Sequence, residues 1–247
     1  MEQLCVGQAA APDGGEWHGL YRWRMPFRIF SSLPQFYTLP PERVKPFGTV
    51  HALLCAEDVV QEPFCVINAD DYYGGGAYRT MYKALDRLPA TGKAVMVGYH
   101  LKNTASLYGT VSRGVCEAAE GTLRSIRETK QIQLYADGSL RDLATGQALA
   151  PDTLVSMNFW GFSPSIFHAA RTYFKAFLHS PAGADLKAEC LLPVMVGDLL
   201  GRGALEVNVL PSYDRWFGMT YRQDRETVAE ELRQLHAQGV YPGKLWN

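Results

Sequence analysis

The feature that most constrains the fold is a short apolar run that ends abruptly at two carboxylates. Residues 64–69, Phe-Cys-Val-Ile-Asn-Ala, are followed at once by Asp70 and Asp71. A glycine triplet then leads into a helical pattern, and a second apolar run follows at 93–100. This strand–helix–strand order predicts a right-handed crossover in a layered α/β sheet, with 64–69 as a buried parallel strand.

The remaining patterns continue the α/β alternation. Apolar and polar residues alternate at 109–116 and 123–129, which favours half-buried strands, and 154–162 is a strongly apolar strand. Helices are predicted over 49–60, 78–88, 163–178, 188–202 and 224–238.

The first residues differ from the rest of the chain. Residues 1–24 show neither the helical nor the strand period, so we expect them to be irregular. The remainder, 25–247, is predicted to be one domain that includes the C-terminal helix at 224–238.

Charge and composition exclude several classes of protein. The 24 basic and 25 acidic side chains balance, so a basic surface for nucleic acid is not expected. No apolar run reaches the roughly 18–20 residues that cross a bilayer, and the start lacks the parts of a secretory signal. The five cysteines are scattered without a CxxC pair, which favours free thiols in a reducing compartment. We therefore predict a cytoplasmic protein that binds neither nucleic acid nor a membrane.

The two carboxylates after the first apolar run are candidate ligands of a hard cation. In an open α/β sheet, ligands bind beyond the carboxyl ends of the strands, which is where Asp70 and Asp71 stand. A carboxylate there suits Mg²⁺, which prefers oxygen ligands and bridges to phosphates. The alternative is structural, because aspartates in this position also cap the following turn or helix.

A second candidate is the segment from Lys45 to Thr49, Lys-Pro-Phe-Gly-Thr. A glycine at the start of a helix, here Gly48, lets the backbone approach a flat base or a phosphate. Lys45 is available to neutralise phosphate charge. The alternative is an ordinary helix N-cap beside a solvated lysine.

A third candidate set lies on two predicted strands. Glu128 and Lys130 follow Ser125 on one strand, and Asn158 interrupts the apolar strand at 154–162. Each can hydrogen-bond a substrate that is rich in hydroxyl groups. The alternatives are a solvated strand face and a buried asparagine whose partners are purely structural.

Two longer segments make the chain similar to a known family. KPFGTVHALL at 45–54 and FCVINADDYYG at 64–74 resemble motifs of the NDP-sugar pyrophosphorylases, the sugar-1-phosphate nucleotidyltransferase family. The similarity is to a bacterial branch with a Lys-Pro-Trp/Phe-Gly-Thr-x-His-Ala motif, and it covers the chain from about Phe27 to Trp246. Further similar segments follow in order at 97–104, 109–115, 125–129, 154–162, 187–193 and 215–221.

The resemblance implies a Rossmann-like, three-layer α/β nucleotidyltransferase fold that is GT-A-like. It also implies transfer of a nucleotidyl group from an NTP to a sugar 1-phosphate, with release of pyrophosphate and with Mg²⁺ as the cofactor. By motif, Asp70 holds the metal, and Lys130 meets the sugar phosphate, although its spacing from Glu128 is one residue longer than in the family's usual Glu-Lys pair. Lys45, as a cation available to the phosphates, completes the predicted catalytic set. The residues implied to bind substrate are Gly48 and Thr49 at the base, Asp71 beside the metal, and Gly109, Glu128 and Asn158 at the sugar.

The sequence departs from the family's pattern at its start and near its end. The family's first strand and glycine-rich loop, which cradles the triphosphate, have no counterpart in 1–24, so we expect an N-terminally incomplete fold. Gly218 stands where many relatives carry a second metal-binding aspartate, and Asp214 and Asp224 are the candidate substitutes.

Several functional alternatives follow from these departures. A truncated enzyme is the favoured hypothesis, and a non-catalytic homologue that binds sugar nucleotide is the first alternative. A GT-A glycosyltransferase ranks third, since such enzymes need an Asp-x-Asp pair and the aspartates here are adjacent. The sugar, the base and the oligomeric state stay open, and the apolar end at 240–246 is available for packing in a homo-oligomer.

Overall fold

The computed structural model of the chain describes residues 4–8, 33–218 and 224–241. Within these residues nine strands form one sheet. The strands are β1 (Leu4–Gln8), β2 (Phe64–Asn68), β3 (Lys93–His100), β4 (Val111–Ala119), β5 (Thr122–Leu134), β6 (Leu140–Asp142), β7 (Ala148–Leu149), β8 (Leu154–Phe162) and β9 (Glu206–Ser212). The α-helices are α1 (Thr49–Leu54), α2 (Gly75–Leu85), α3 (Ile166–His179), α4 (Pro181–Ala184), α5 (Leu192–Gly201) and α6 (Asp224–Ala237).

The sheet is mixed, and its order is β1-β2-β8-β3-β9-β5-β6-β7, with β4 paired to β5 and β8. Strand β2 is antiparallel to both of its neighbours, β1 and β8, so the prediction of a parallel-paired strand there is wrong. Strand β8 is antiparallel to β3 as well, so β2 and β3 run in the same direction with β8 between them. The crossover through α2 therefore spans one antiparallel strand, which local sequence patterns do not reveal.

Alternate residues of the central strands enter two separate hydrophobic clusters. In β3, Ala94 and Met96 belong to the cluster that also contains residues of α1, α3 and α5. Val95, Val97 and Tyr99 belong to the cluster that contains residues of α2. Because successive side chains on a strand point to opposite faces, helices cover both faces of the sheet. This arrangement confirms the predicted layered α/β fold.

Several predicted elements have different limits in the structure; for example, the helix predicted over 49–60 ends at Leu54, and the one predicted over 78–88 is Gly75–Leu85. Residues 4–8 form strand β1, so the expectation of an irregular segment over 1–24 is wrong there, and 9–24 lie outside the described residues. Helix α5 begins at Leu192 rather than 188, because the backbone before it bonds to another segment: the Cys190 N–H donates to the Phe47 carbonyl at 2.7 Å. None of the helices among the described residues is long and apolar enough to span a membrane.

A buried histidine lies among aromatic rings on the α1 side of the sheet. The ring of His51 stacks on Phe174 at 4.8 Å between centroids and meets the edge of Phe47 at 5.6 Å. Its side chain is 1% exposed. Burial lowers the pKa of His51 to about 4, and the positive charge of Arg43 acts in the same direction. The neutral imidazole therefore serves as part of the hydrophobic core.

This environment predicts a pH-dependent stability. Between pH 6.5 and 4 the unfolded chain binds a proton at His51 and the folded chain does not, so the free energy of unfolding falls as the pH falls. The full shift corresponds to about 3 kcal/mol as an upper bound. Urea unfolding at pH 7 and pH 4.5 should show that His51→Phe removes this part of the pH dependence. His168→Phe, on an exposed face of α3, should leave it unchanged, and an equal slope in both variants would contradict the assignment.

Candidate functional site

A cavity of about 290 Å³ lies beyond the carboxyl end of β2. Residues from β2, β4, β5 and β8, the start of α1, the start of α5 and the loop after β9 form its wall. The lining residues are Thr49, Asn68, Asp70, Asp71, Ser112, Arg113, Gly114, Glu128, Ser156, Met157, Asn158, Leu191, Pro193, Trp216 and Gly218. Five of the residues singled out in the sequence are therefore brought together: Thr49, Asp70, Asp71, Glu128 and Asn158.

Strand register places the polar residues of this cavity in one row across the sheet. Phe64 pairs with Phe162 and Val66 with Trp160, and Asn68 and Asn158 lie just beyond these paired residues. The Asn158 amide nitrogen lies 3.5 Å from the Asn68 amide oxygen. Strand β4 continues the row, because Gly114 pairs with Ser156 on one side and with Glu128 on the other. Residues distant in sequence thus converge through backbone pairing.

Asn158 has an unusual backbone conformation. Its φ is +60°, in the left-handed region that side-chain-bearing residues rarely adopt. The strand is irregular at the same place, since the pairing of β3 with β8 shifts between Met96 and Gly98. Asparagine tolerates the left-handed region better than most residues, and such strain concentrates at functional sites. The irregularity identifies Asn158 as a candidate ligand-binding residue.

Asp71 is the partly buried carboxylate of the cavity, and Asp70 is exposed beside it. The Asn68 amide donates to Asp71 Oδ2 at 2.9 Å, and the Tyr73 hydroxyl donates to the same oxygen at 3.2 Å. Burial raises the pKa of Asp71 to about 6, and the charge of Asp70 acts in the same direction. The hydrogen bonds from Asn68 and Tyr73 oppose that shift. A carboxyl that titrates near neutral pH in a cavity is a candidate functional group.

The starts of α1 and α5 interlock to form another wall. The Val50 N–H donates to the Cys190 carbonyl at 3.0 Å, and the Leu192 N–H donates to Thr49 Oγ1 at 2.8 Å. Gly48 has φ +92°, and a Cβ there would lie 2.8 Å from the Cys190 carbonyl oxygen. Gly48 is therefore required for this close approach, which sets the position of Thr49 at the cavity.

A buried arginine fixes the backbone behind that wall. Arg43 is 3% exposed, and it donates to the carbonyl of Lys45 at 3.0 Å and to that of Ala188 at 2.8 Å. Its guanidinium also lies 3.8 Å from the centroid of the Phe47 ring. Arg43 thus connects the segment before α1 to the segment before α5.

Four residues that the sequence placed at the site do not line this cavity, and one of them, Gly48, directly precedes Thr49, which does. Lys45 is half-exposed and forms an ion pair with Glu189 at 3.0 Å. Lys130 is exposed on β5, and its backbone carbonyl accepts a hydrogen bond from Ser112 at 3.0 Å. Gly109 lies in the loop before β4. These residues are close in sequence to residues that line the cavity. The local motifs do not determine the direction of their side chains.

The position of Gly218 is closed to a second carboxylate. A Cβ on Gly218 would lie 2.1 Å from the Trp216 ring and 3.0 Å from Asp71 Oδ1. Asp214 does not replace the missing carboxylate at the cavity, because it accepts the Ala77 N–H at 2.8 Å and so caps the start of α2. The loop after β9 is also joined to the loop after β2, since Tyr72 and Phe217 exchange two backbone hydrogen bonds.

The cavity offers two carboxylates as ligands for Mg²⁺. Among the described residues no group of three or more His, Cys, Asp or Glu side chains has the geometry of a metal site. Mg²⁺ is commonly held by one or two carboxylates while phosphate oxygens and waters complete its shell. Asp70 and Asp71 at the carboxyl end of β2 provide that minimum.

Several lining residues were not predicted from the sequence, and Arg113 is the most informative of them. Arg113 is 8% exposed and lies on β4 at the same parity as Val111 and Val115. A charged residue in the apolar positions of an alternating strand was the available signal. Ser156 and Trp216 gave no comparable local signal, because register and loop packing bring them to the cavity.

Comparison with solved structures supports the fold. A structure from Bacillus anthracis, provisionally assigned as a glucose-1-phosphate thymidylyltransferase in complex with a sucrose, matches 80% of this chain with a TM-score of 0.50 and 14% identity. An inositol-1-phosphate CTP transferase from T. maritima matches 76% with a TM-score of 0.49 and 10% identity. A UDP-glucose pyrophosphorylase complexed with UDP-glucose matches 78% with a TM-score of 0.47 and 14% identity.

The chain corresponds to only part of each of these structures. This chain spans 63%, 62% and 64% of the three structures respectively, somewhat under two thirds of each. No protein-family model and no curated protein sequence matches the chain. The likeness to the Bacillus anthracis structure confirms the predicted nucleotidyltransferase-type α/β fold, and at such identity it shows the fold alone.

The burial of Asp71 predicts that its charge opposes folding. Because the pKa is raised in the folded state, stability falls as the pH rises through about 6, where the folded carboxyl ionises. Asp71→Asn should therefore stabilise the protein by about 1–2 kcal/mol at pH 8 and by much less at pH 4. Thermal unfolding at both pH values measures this effect, with exposed Asp58→Asn as the control. A destabilised Asp71→Asn at pH 8 would show that the ionised carboxylate is held favourably.

The contact at Gly48 predicts a substitution penalty larger than that of backbone strain alone. Gly92 has a similar φ of +74°, but nothing lies within 4 Å of a Cβ built there. Gly92→Ala should cost about 1–2 kcal/mol, the usual price of a left-handed alanine. Gly48→Ala should cost distinctly more, because the methyl group also meets the Cys190 carbonyl. Urea unfolding of the two variants measures the difference in their free energies of unfolding. An equal decrease in both would contradict the role of the close approach at Gly48.

Proposed function

We propose that this chain is a nucleotidyltransferase of the NDP-sugar pyrophosphorylase type, which joins an NTP and a sugar 1-phosphate and releases pyrophosphate. The observation that carries the proposal is the convergence of Thr49, Asp70, Asp71, Glu128 and Asn158 on one cavity at the carboxyl end of β2. The sequence resemblance implies that these residues bind the base, the metal and the sugar. Their collection in one place is what such a reaction requires.

The reaction needs orientation and charge stabilisation more than a protein nucleophile. An oxygen of the sugar phosphate attacks the α-phosphorus in line, a new P–O bond forms, and the bond to the leaving pyrophosphate breaks. In this proposal Glu128 and Asn158 hold the sugar hydroxyls, and Gly48 and Thr49 face the base. Asp70 would hold Mg²⁺ with Asp71 next to it. When bound, the metal offsets the negative charge that develops on the phosphate oxygens.

The two lysines complete the proposal as groups that move into place with substrate. Lys45 is paired with Glu189, and both side chains are partly exposed, so the pair can exchange Glu189 for a phosphate at little cost. Lys130 is exposed on β5, on the strand that also carries Glu128. Gly109 remains a proposed contact with the sugar.

A second candidate function is favoured by the same lysines. A homologue that binds sugar nucleotide without turning it over would keep Glu128, Asn158 and Thr49 at the cavity. It would not need a lysine there, and neither Lys45 nor Lys130 lines the cavity among the described residues. Binding without turnover is therefore the specific rival to catalysis.

Pyrophosphate release separates the two functions. The full chain is incubated with Mg²⁺, a panel of NTPs and sugar 1-phosphates, and pyrophosphate is followed with time. We expect release that Asp70→Ala abolishes, and that Glu128→Gln slows chiefly by raising the KM for the sugar phosphate about tenfold or more, because a hydroxyl contact is lost. Asp58→Ala, which changes an exposed carboxylate that does not line the cavity, is the matched control.

The outcomes are distinct. Release that persists in Asp70→Ala would place catalysis elsewhere. Tight binding of a sugar nucleotide by a folded chain that releases no pyrophosphate would support the binding-only homologue.

A further inference from the structure

Arg113 is a buried cation that the proposed reaction does not yet use. Its side chain lies on β4 and is 8% exposed. One amino group donates to the Ser112 carbonyl at 2.8 Å, and the other donates to the Thr104 carbonyl. The guanidinium lies 4.9 Å from the centroid of the Trp216 ring. These contacts orient the group without neutralising it.

Part of this guanidinium has no partner. The Nε–H is buried and makes no hydrogen bond among the described residues. A guanidinium has five N–H donors, and leaving a buried donor unsatisfied costs free energy. Groups of this kind in native structures call for an explanation, and a ligand that is absent from the structure is one. The buried and unsatisfied Nε–H of Arg113 therefore indicates a hydrogen-bond acceptor in an adjoining cavity.

Arg113 lines two cavities, and the larger one, which also holds Asp71 and Glu128, is the place we assign to that acceptor. Arg113 lines it together with Asp71 and Glu128, and it is the only lysine or arginine in the lining among the described residues. Burial lowers the pKa of Arg113 to about 10, while the charges of Asp71, Glu128 and Asp224 act in the opposite direction. Arg113 is consequently cationic at neutral pH. The cavity holds one fixed positive charge beside its carboxylates.

We propose that Arg113 binds a phosphoryl group of the ligand through its Nε–H and the adjacent amino group. Guanidinium presents paired N–H donors in a plane that matches two phosphate oxygens, and such charge-assisted bonds are among the strongest in proteins. The inference deepens the proposed function and rests on it for the identity of the substrates. Within that function the group is the phosphate of the sugar phosphate or one of the triphosphate.

The direct test observes the Arg113 Nε–H in the full chain. The protein is labelled with ¹⁵N-arginine, and the Nε–H signal is assigned through its proximity to the Trp216 ring. Glucose 1-phosphate and UTP, each with Mg²⁺, are titrated in separate arms, and methyl glucoside is the uncharged control. We expect a saturable shift of this signal with one of the two phosphates and none with methyl glucoside. The arm that shifts it identifies the source of the phosphoryl group.

Calorimetry of variants gives the energetic test. Arg113→Lys keeps the charge and loses the paired donors, so binding of the responsive phosphate should weaken about tenfold to a hundredfold. Arg127→Lys, an exposed arginine on the neighbouring β5, is the matched control and should bind within about twofold of the wild type. Circular dichroism verifies that both variants fold. If Arg113→Lys does not fold, the shift of the Arg113 Nε–H signal in the wild-type protein tests the proposal.

The outcomes separate this inference from the proposed function. A chain in which Arg113 responds to phosphate but no pyrophosphate is released keeps the binding site and loses the proposed function. A chain that releases pyrophosphate with an unmoved Nε–H and an unimpaired Arg113→Lys keeps the function and overturns the inference. Failure of the wild type to bind either phosphate also overturns it.

Discussion

The pairing of β8 with three other strands is the interaction on which the site depends. One end of β8, at Trp160 to Phe162, bonds to β2 and β3, and the other end, at Val155 and Ser156, bonds to β3 and β4. The change of partners happens where the strand is irregular, at Asn158. A straight strand would keep one set of neighbours along its length. The irregularity therefore opens the space between β2 and β4 in which the cavity lies.

Charged side chains of both signs line this cavity. Asp70 is exposed and Asp71 is partly buried, while Arg113 on β4 adds a cation to the same wall. The polar groups of this cavity are costly to bury, and a phosphate with a metal ion would pair with the charges of both signs. The folded protein is thus less stable than it would be with apolar side chains at these positions. Such a loss of stability is common where a protein binds a ligand.

The sequence predicts the parts of this structure that depend on local patterning. The apolar run ending at Asp70 is β2, the alternating segments are β4 and β5, and both faces of the sheet are covered by helices, as the patterns indicated. The antiparallel placement of β8 depends on long-range pairing, so local periodicity could not supply it. The same limit applies to the site. Motifs identified Glu128 and Asn158, whereas the position of Lys45 depends on a surface ion pair and that of Trp216 on loop packing.

The cap that Asp214 provides for α2 has a consequence for recognition. The carboxylate sits against Gly74 and Gly76 so closely that a methyl group on either would lie within 2.7 Å of it. The loop that carries Trp216 is therefore anchored to the end of a helix, and it is bonded again through Phe217. A wall attached in this way has little freedom to adapt its shape. Selectivity at this cavity would then come from exclusion: molecules too large for the space beside Trp216 are rejected before any polar contact discriminates among those that fit.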